Sequence, residues 1–399
     1  MKVGILRETR RWKDRRVAIT PETAELILKN YPEVELFVQS SKLRVHTDEE
    51  YAALDIPVVD DVSHCDLLIG VKEVANEALI DHKTYIMFAH VAKQQELNQS
   101  FFQLMAKKNI TLIDYEYFVD KRNARLVAFG FWAGVVGAYY AFVGIARRFC
   151  NLELRGPEAC DDLTDLHRQL KRVDWPALKI VVTGGGRVAS GSLEIINHLG
   201  IQEVLPKDFI NKEYDHPVFT RLDPMDYVER KSGDFDTAHF YSNPKEYQSA
   251  FLPFAKAADV FIASHFWNQE SPPFFTVEDL QSPEFGISLV ADISCDVPGP
   301  IPTTLRTSTI ENPFYDVIPE TLKETTPFSS AEHVTVVAVD NMPAALPKDA
   351  ARTFARDMYY EVFPSLFTAD NNGVVERATI LKDGKLTPAF SYLIDFFKG

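Results

Sequence analysis

Apolar runs of four or five residues alternate with longer stretches of helical period through the first third of the chain. Val3–Leu6, Glu35–Val38, Leu67–Val71, Thr84–Phe88 and Thr111–Asp114 read as strands. A helix is expected from Thr20, which can N-cap, with Pro21 at the first helical position and Glu22 in the first turn. Ala92 to Lys107 is a second helix candidate. Apolar strands alternating with helices predict an α/β fold with a largely parallel sheet. A second unit of this kind opens at Lys179. The run Ile180, Val181, Val182 stops at Thr183, three glycines follow, and a helical pattern resumes with Leu193, Ile195 and Ile196. Further strands are expected at Val260–Ala263 and Ile287–Asp292. The amphipathic tail from Ala344 carries Phe354, Met358, Val362 and Phe363 at helical spacing, and is expected to pack on the first unit.

One stretch has no polar face. Val127 to Ala146 is twenty residues without a charge, flanked by Arg125, Arg147 and Arg148, and contains Gly130-xxx-Gly134. Its length would permit a membrane span. It is a single run, rich in Gly, Ala and Tyr, so a buried helix between two domains is the expectation.

The length of 399 residues calls for two domains. The expected division is a discontinuous substrate domain, 1–130 with 345–399, and a dinucleotide-binding domain, 131–344. The polar segment 151–178 reads as a surface insertion. A net charge of -15 argues against nucleic acid or an anionic membrane as partner. Four cysteines without CxxC pairing read as reduced thiols in a cytoplasmic protein. The opening MKVGILRE reads as a strand, not as a signal peptide. No zinc spacing, GxSxG elbow or P-loop lysine is present.

The candidate chemistry follows from the elements. Gly184-x-Gly186-x-x-Ala189 lies between a strand and a helix, as a dinucleotide fingerprint requires. Gly184 would allow the turn, Gly186 would let the backbone approach a pyrophosphate, and the helix N-terminus would offer its amides. Asp208, about 20 residues on, is the expected partner of the ribose hydroxyls and favours NAD over NADP. Arg187 pulls the other way, since a guanidinium tolerates a 2′-phosphate. Parallel strands leave the sheet at one edge, so Lys72, Glu73, His90 and Glu116 should gather at one rim. A lysine, a histidine and two carboxylates make a proton-transfer set in which neighbouring charges tune each pKa. Six of the ten residues from Arg7 to Arg16 are basic. Arg16, at the edge of the ordered VAITP pattern, is the expected clamp for a substrate carboxylate. Hydride chemistry is the reaction class these features suggest.

These motifs resemble the alanine dehydrogenase / nicotinamide nucleotide transhydrogenase superfamily over nearly the whole length, and most of all its saccharopine dehydrogenase branch. GILRETRRWKDRRVAITP is similar to the family's start, with Arg16 at its carboxylate-binding arginine. LLIGVKE carries the family lysine at Lys72. MFAHVAKQQ carries the family histidine at His90 and places Gln95 at a substrate-contacting position. LIDYEYFVDKRNARLVAFGFWAG puts Glu116 at the acidic position and Phe129 along the substrate site. VVTGGGRVASGS resembles the cofactor loop, with Val188 where the branch has cysteine. LVADISCDVPG and VAVDNMPAALP bring Asp292, Asp296 and Asn341 to the cofactor side. The resemblance implies two Rossmann-like domains with parallel sheets and an active site in the cleft between them. It implies NAD as cofactor and small amino-acid and 2-oxo-acid substrates, with Lys72 and His90 as acid–base pair and Glu73 and Glu116 tuning them. It also implies alternatives: alanine dehydrogenase-type reductive amination of pyruvate, or a non-catalytic NAD(H)-binding subunit. The superfamily includes monomers and hexamers, which leaves a homo-oligomer open.

Overall fold

Strands and helices alternate to form two eight-stranded sheets in a computed structural model that describes residues 1–9, 13–94 and 96–398. Gln95 and part of the basic run (Arg10, Arg11) lie outside the described residues. The chain divides into two compact units, Met1–Phe129 with Pro347–Gly399, and Gly130–Leu346.

In the first unit, β1 (Lys2–Ile5), β2 (Glu35–Gln39), β3 (Val58–Val59), β4 (Leu67–Lys72), β5 (Thr84–Phe88) and β6 (Thr111–Asp114) are parallel. The last two strands of the chain, β17 (Thr379–Lys382) and β18 (Lys385–Leu386), add antiparallel beside β6. The sheet order is β18-β17-β6-β5-β4-β1-β2-β3. A parallel sheet is covered on both faces, so its strands are apolar throughout; Leu67 to Val71 are all buried. Thr20 caps the Pro21–Asn30 helix by accepting from the Thr23 amide at 3.4 Å. The tail helix Pro347–Glu361 lays Phe354 and Met358 against Val3, Ile69 and Ile86 on one face. Phe101, Phe102 and Met105 of the Glu96–Lys107 helix join Leu68, Tyr85 and Leu112 on the other. That helix starts later than its periodicity predicts. His90 and Gln94 both have positive φ, 55° and 54°, so the chain makes only a 3₁₀ turn at Val91–Lys93 first.

In the second unit, β7 (Lys179–Thr183) lies at the centre of the sheet. β8 (Gln202–Glu203) and β9 (Val218–Leu222) extend it to one side. A separate hairpin, β10 (Val228–Arg230) and β11 (Tyr247–Ser249), follows. Then β12 (Val260–Ala263), β13 (Leu289–Asp292), β14 (Phe314–Ile318), β15 (Lys323–Thr325) and β16 (Val334–Val337) complete the order β15-β14-β16-β13-β12-β7-β9-β8. All are parallel except β14 and β15. The order reverses between β7 and β12, the crevice position of a doubly wound sheet.

The uncharged stretch forms the Gly130–Cys150 helix, with 14 residues buried inside the second unit. A Cβ on Gly134 would lie 1.9 Å from the Val188 carbonyl oxygen, and one on Gly191 1.9 Å from that of Phe131. The glycines therefore serve backbone contact with the Arg187–His198 helix. Among the described residues no helix is long and apolar enough to cross a membrane. Residues 151–178 are more than a surface insertion. Their Leu163–Leu170 helix buries Leu166 and Leu170, and Arg155 fixes Asp165 of that helix through two bonds of 2.7 and 2.9 Å.

Candidate active site

Lys72 ends β4, His90 follows β5 by two residues, and Glu116 follows β6 by two. Phe88 is the hub of the group they form. The Lys72 ammonium lies 5.7 Å from its ring centroid, and the His90 ring stacks on it at 6.2 Å and 20°. His90 Nδ1 is 3.3 Å from Oε1 of Glu73, which is 3% exposed. With Glu73 accepting from Nδ1–H, Nε2 is the nitrogen left to exchange protons. The left-handed backbone of His90 costs energy in a non-glycine residue, and such strain gathers at functional sites.

Phe88 also touches Phe129, at 5.9 Å. Phe129 stacks on Phe354 at 4.4 Å and 10°. The Arg16 guanidinium carbon lies 4.2 Å above the Phe129 ring. Arg16 is buried and gripped by Asp14, with Nε–Oδ1 3.0 Å and Nη2–Oδ2 2.6 Å. Arg16, Phe129, Phe88, Lys72, His90 and Glu73 thus form one connected cluster.

Glu116 has its own ion pairs, with Lys93 at 3.3 Å and Arg125 at 3.4 Å. Burial opposes its ionisation, but Lys93, Arg125 and His90 outweigh burial and hold its pKa below the ordinary value. Three acids that sequence reasoning passed over support the cluster. Asp14 orients Arg16. Fully buried Asp114 accepts from the Ala89 amide at 3.0 Å and the Glu116 amide at 2.9 Å, tying the ends of β5 and β6 together. Burial pushes its pKa up to about 6. Glu8 binds the backbone of β4 and is taken up below. Asp114 ends its strand with an acceptor two residues before a turn amide, a local pattern that was readable in advance.

In the second unit the glycine turn is forced at Gly184. Its φ is 103°, and a Cβ there would lie 2.7 Å from the Ser264 carbonyl oxygen. Gly186 N-caps the Arg187–His198 helix without any side-chain cap, and a Cβ on it would meet nothing within 4 Å. This open position lies at the start of the helix, beside exposed Arg187. His265, just past β12, is buried with Nδ1 2.7 Å from Thr183 Oγ1, pinning the end of β12 to that of β7. Burial lowers its pKa to about 3, which keeps it neutral.

The acid beside this turn is Asp223. A Cβ on Gly185 would lie 3.0 Å from Asp223 Oδ1 and 3.2 Å from Arg221 Nη1. Arg221 grips Asp223 at 2.6 and 2.9 Å and donates to the Gly184 carbonyl at 3.3 Å. Asp208 stands 15 residues earlier in the chain, on the short helix Pro206–Asn211, where it pairs with Lys212 at 3.0 Å. The usual offset falls short here because β8 and that helix intervene before β9, the strand that pairs with β7. Asp292 is buried at the end of β13 and is committed to its own turn. It accepts from the Ser294 hydroxyl at 2.7 Å and the Thr304 hydroxyl at 2.8 Å, and burial raises its pKa. Asp296 is exposed in that turn. Asn341, at φ 61°, precedes the turn Met342–Ala345 after β16. Among the described residues no cluster of His, Cys, Asp or Glu could hold a metal ion.

The alanine dehydrogenase/PNT N-terminal domain family matches residues 4–136. The mitochondrial alpha-aminoadipic semialdehyde synthase of Rattus norvegicus is 30% identical over 95% of this chain and 46% of its own length. The chain thus spans less than half of that relative. The saccharopine dehydrogenase [NAD(+), L-lysine-forming] of Neurospora crassa is 26% identical, over 96% of this chain and 95% of that protein. A solved L-alanine dehydrogenase shares the fold with TM-score 0.68 at 15% identity, covering 99% of this chain and all of that one. A transhydrogenase from Sinorhizobium meliloti does so with TM-score 0.62 at 16% identity, covering 98% of this chain and 100% of its own. Residues 4–136 thus match the alanine dehydrogenase/PNT N-terminal domain family, and the chain as a whole is similar in sequence to saccharopine dehydrogenase and semialdehyde synthase proteins.

Proposed function

We propose that this chain is an NAD-dependent dehydrogenase acting on a CH–NH bond, with saccharopine, or lysine and 2-oxoglutarate in the reverse direction, as substrates. The observation that carries this reading is the cluster around Phe88, where an ammonium, a carboxylate-held imidazole and a buried arginine meet on one aromatic surface. Likeness to the fungal saccharopine dehydrogenases over nearly their full length supports the substrate class. NAD, when bound, supplies the hydride acceptor. The glycine turn fits its pyrophosphate, since Gly186 leaves room and the helix amides behind it lack a side-chain cap. Asp223 would take the ribose hydroxyls, which favours NAD over NADP. Arg221, already neutralised by Asp223, would orient that acid.

The remaining chemistry belongs to side chains. Lys72, in its neutral amine form, would take the proton from the substrate's secondary amine as the adjacent carbon gives its hydride to NAD and the imine forms. Water then adds to the imine carbon. His90, held through Nδ1 by Glu73, would move protons at Nε2 while the C–N bond breaks to give an amino acid and a keto acid. Arg16 would hold a substrate carboxylate, with Asp14 fixing the guanidinium plane and Phe129 backing it. Glu116, with Lys93 and Arg125, would set the charge near His90.

The test is NADH oxidation with paired substrates. Lysine with 2-oxoglutarate should support turnover. Ammonia with pyruvate supporting it instead would replace this reading with alanine dehydrogenase chemistry. NADH binding without turnover for any amine and keto-acid pair would reject catalysis.

A further inference from the structure

The segment that carries Lys72 is held in an unusual way. β1 and β4 pair through Ile5 and Ile69, and the Leu6 amide donates to the Ile69 carbonyl at 2.9 Å. Beyond that point the β1 backbone stops serving as partner, and a side chain takes over. Glu8 accepts from the Val71 amide through Oε1 at 2.7 Å and from the Lys72 amide through Oε2 at 2.9 Å. Thr9 Oγ1 accepts from the Ala75 amide at 2.9 Å. The Tyr115 hydroxyl donates to the Gly70 carbonyl at 2.8 Å. On the other side the register slips. Ile69 faces Ile86 but Lys72 faces Phe88, so three residues of β4 span two of β5. This is a bulge, and a bulge re-aims the side chain that follows it.

We propose that Glu8 is a positioning residue, whose carboxylate replaces the missing edge of β1, holds the β4 bulge, and so presents Lys72 toward Phe88 and His90. The proposal rests on the reading of Lys72 as the acid–base group. Two parallel amides 2.7 and 2.9 Å from two oxygens of one group call for a carboxylate. Glutamine has one such oxygen and would turn its own NH₂ toward the second amide. Aspartate keeps the charge but is one methylene short. Keeping this charge is costly: burial, with Asp14 adding to it, pushes the Glu8 pKa up to about 8, against the two amides and Arg16, so the variants are compared above that pH, where the carboxylate is ionised.

Glu8→Gln tests this. With lysine and 2-oxoglutarate, kcat should fall about 10- to 100-fold, as for a misaimed catalytic group, while the KM for NADH stays within about twofold. Lys72 itself gives a readout independent of turnover. Its acylation by an amine-reactive reagent, followed by peptide mass spectrometry against pH, should shift its midpoint from the wild-type value. Hydrogen exchange should speed up at Val71 and Lys72. A variant of lower thermal midpoint but unchanged kcat and unchanged Lys72 titration would reduce Glu8 to a structural group and overturn the proposal. If the wild type turns over no substrate pair, the reaction reading fails, and the acylation profile still decides the role of Glu8. Where the glutamine variant does not accumulate, Glu8→Asp replaces it. There, reduced kcat with a Lys72 midpoint nearer wild type supports positioning, and wild-type kcat overturns it.

Discussion

The rim of the first sheet and the glycine turn of the second use the same topology for opposite ends. Both lie where parallel strands leave their sheet. The first is crowded with side chains: Lys72, Glu73 and His90 around Phe88, with Asp14, Asp114 and Glu8 behind them. The second works by leaving side chains out. Gly184 has no room for a Cβ, and a Cβ on Gly186 would meet nothing within 4 Å, at the start of a helix without a side-chain cap. A proton-transfer site has to set the ionisation of each group, so it needs neighbours. A phosphate site needs backbone donors and access, so neighbours would block it.

Four measurements sharpen this contrast, in order of expected size. Lys72→Met should lower kcat by about 10²- to 10⁴-fold, the usual worth of acid–base chemistry, with NADH affinity nearly unchanged. Near-wild-type turnover in that variant would remove the rim from the chemistry. Gly184→Ala should do the reverse. It puts a Cβ 2.7 Å from the Ser264 carbonyl at φ 103°, and NADH titration should show affinity weaker by about 10- to 100-fold. Unaltered NADH binding would mean that the turn is not the phosphate site. Asp223→Ala should reduce the preference for NADH over NADPH about 10-fold, while Asp208→Ala leaves it in place. The opposite ranking would return the ribose role to Asp208.

The smallest effect concerns pH. The Glu8 carboxyl, near 4.5 when unfolded, is pushed up to about 8 by burial. The folded chain therefore holds this proton more tightly than the unfolded chain. The stabilisation is complete below pH 4.5 and is lost as the pH rises toward 8. The thermal midpoint should decline across that window, and Glu8→Gln should flatten the decline. An identical slope in the variant would show that Glu8 does not titrate there.

Much of the framework was legible because local pattern and tertiary role agree. Thr84–Phe88, Thr111–Asp114 and Val260–Ala263 are strands to the residue, and Thr20 caps its helix with Pro21 in the first position. Lys72, Glu73 and His90 could be grouped in advance because parallel strands end at one edge. The second helix was expected too early, since nothing in the sequence announces the left-handed turns at His90 and Gln94. Asp208 was chosen by counting residues from the glycines, but adjacency to the turn depends on which strand pairs with β7. Asp292 carried an acidic signal, yet its carboxylate is saturated by Ser294 and Thr304. Gly130-xxx-Gly134 was read against a membrane alternative, and Gly134 instead meets the backbone of a neighbouring helix.

From the order of residues alone came the α/β class, the glycine turn, and the gathering of a lysine, a histidine and acids at one sheet edge. These follow from near-neighbour sterics, hydrophobic period and strand direction, all of which act over short stretches of chain. The fold decided which acid stands beside the glycines and which side chain carries the amides of the β4 bulge. Those choices rest on residues far apart in the chain, as in the 2.7 and 2.9 Å bonds from the Val71 and Lys72 amides to Glu8. Such contacts exist only once strands have paired and registers are set.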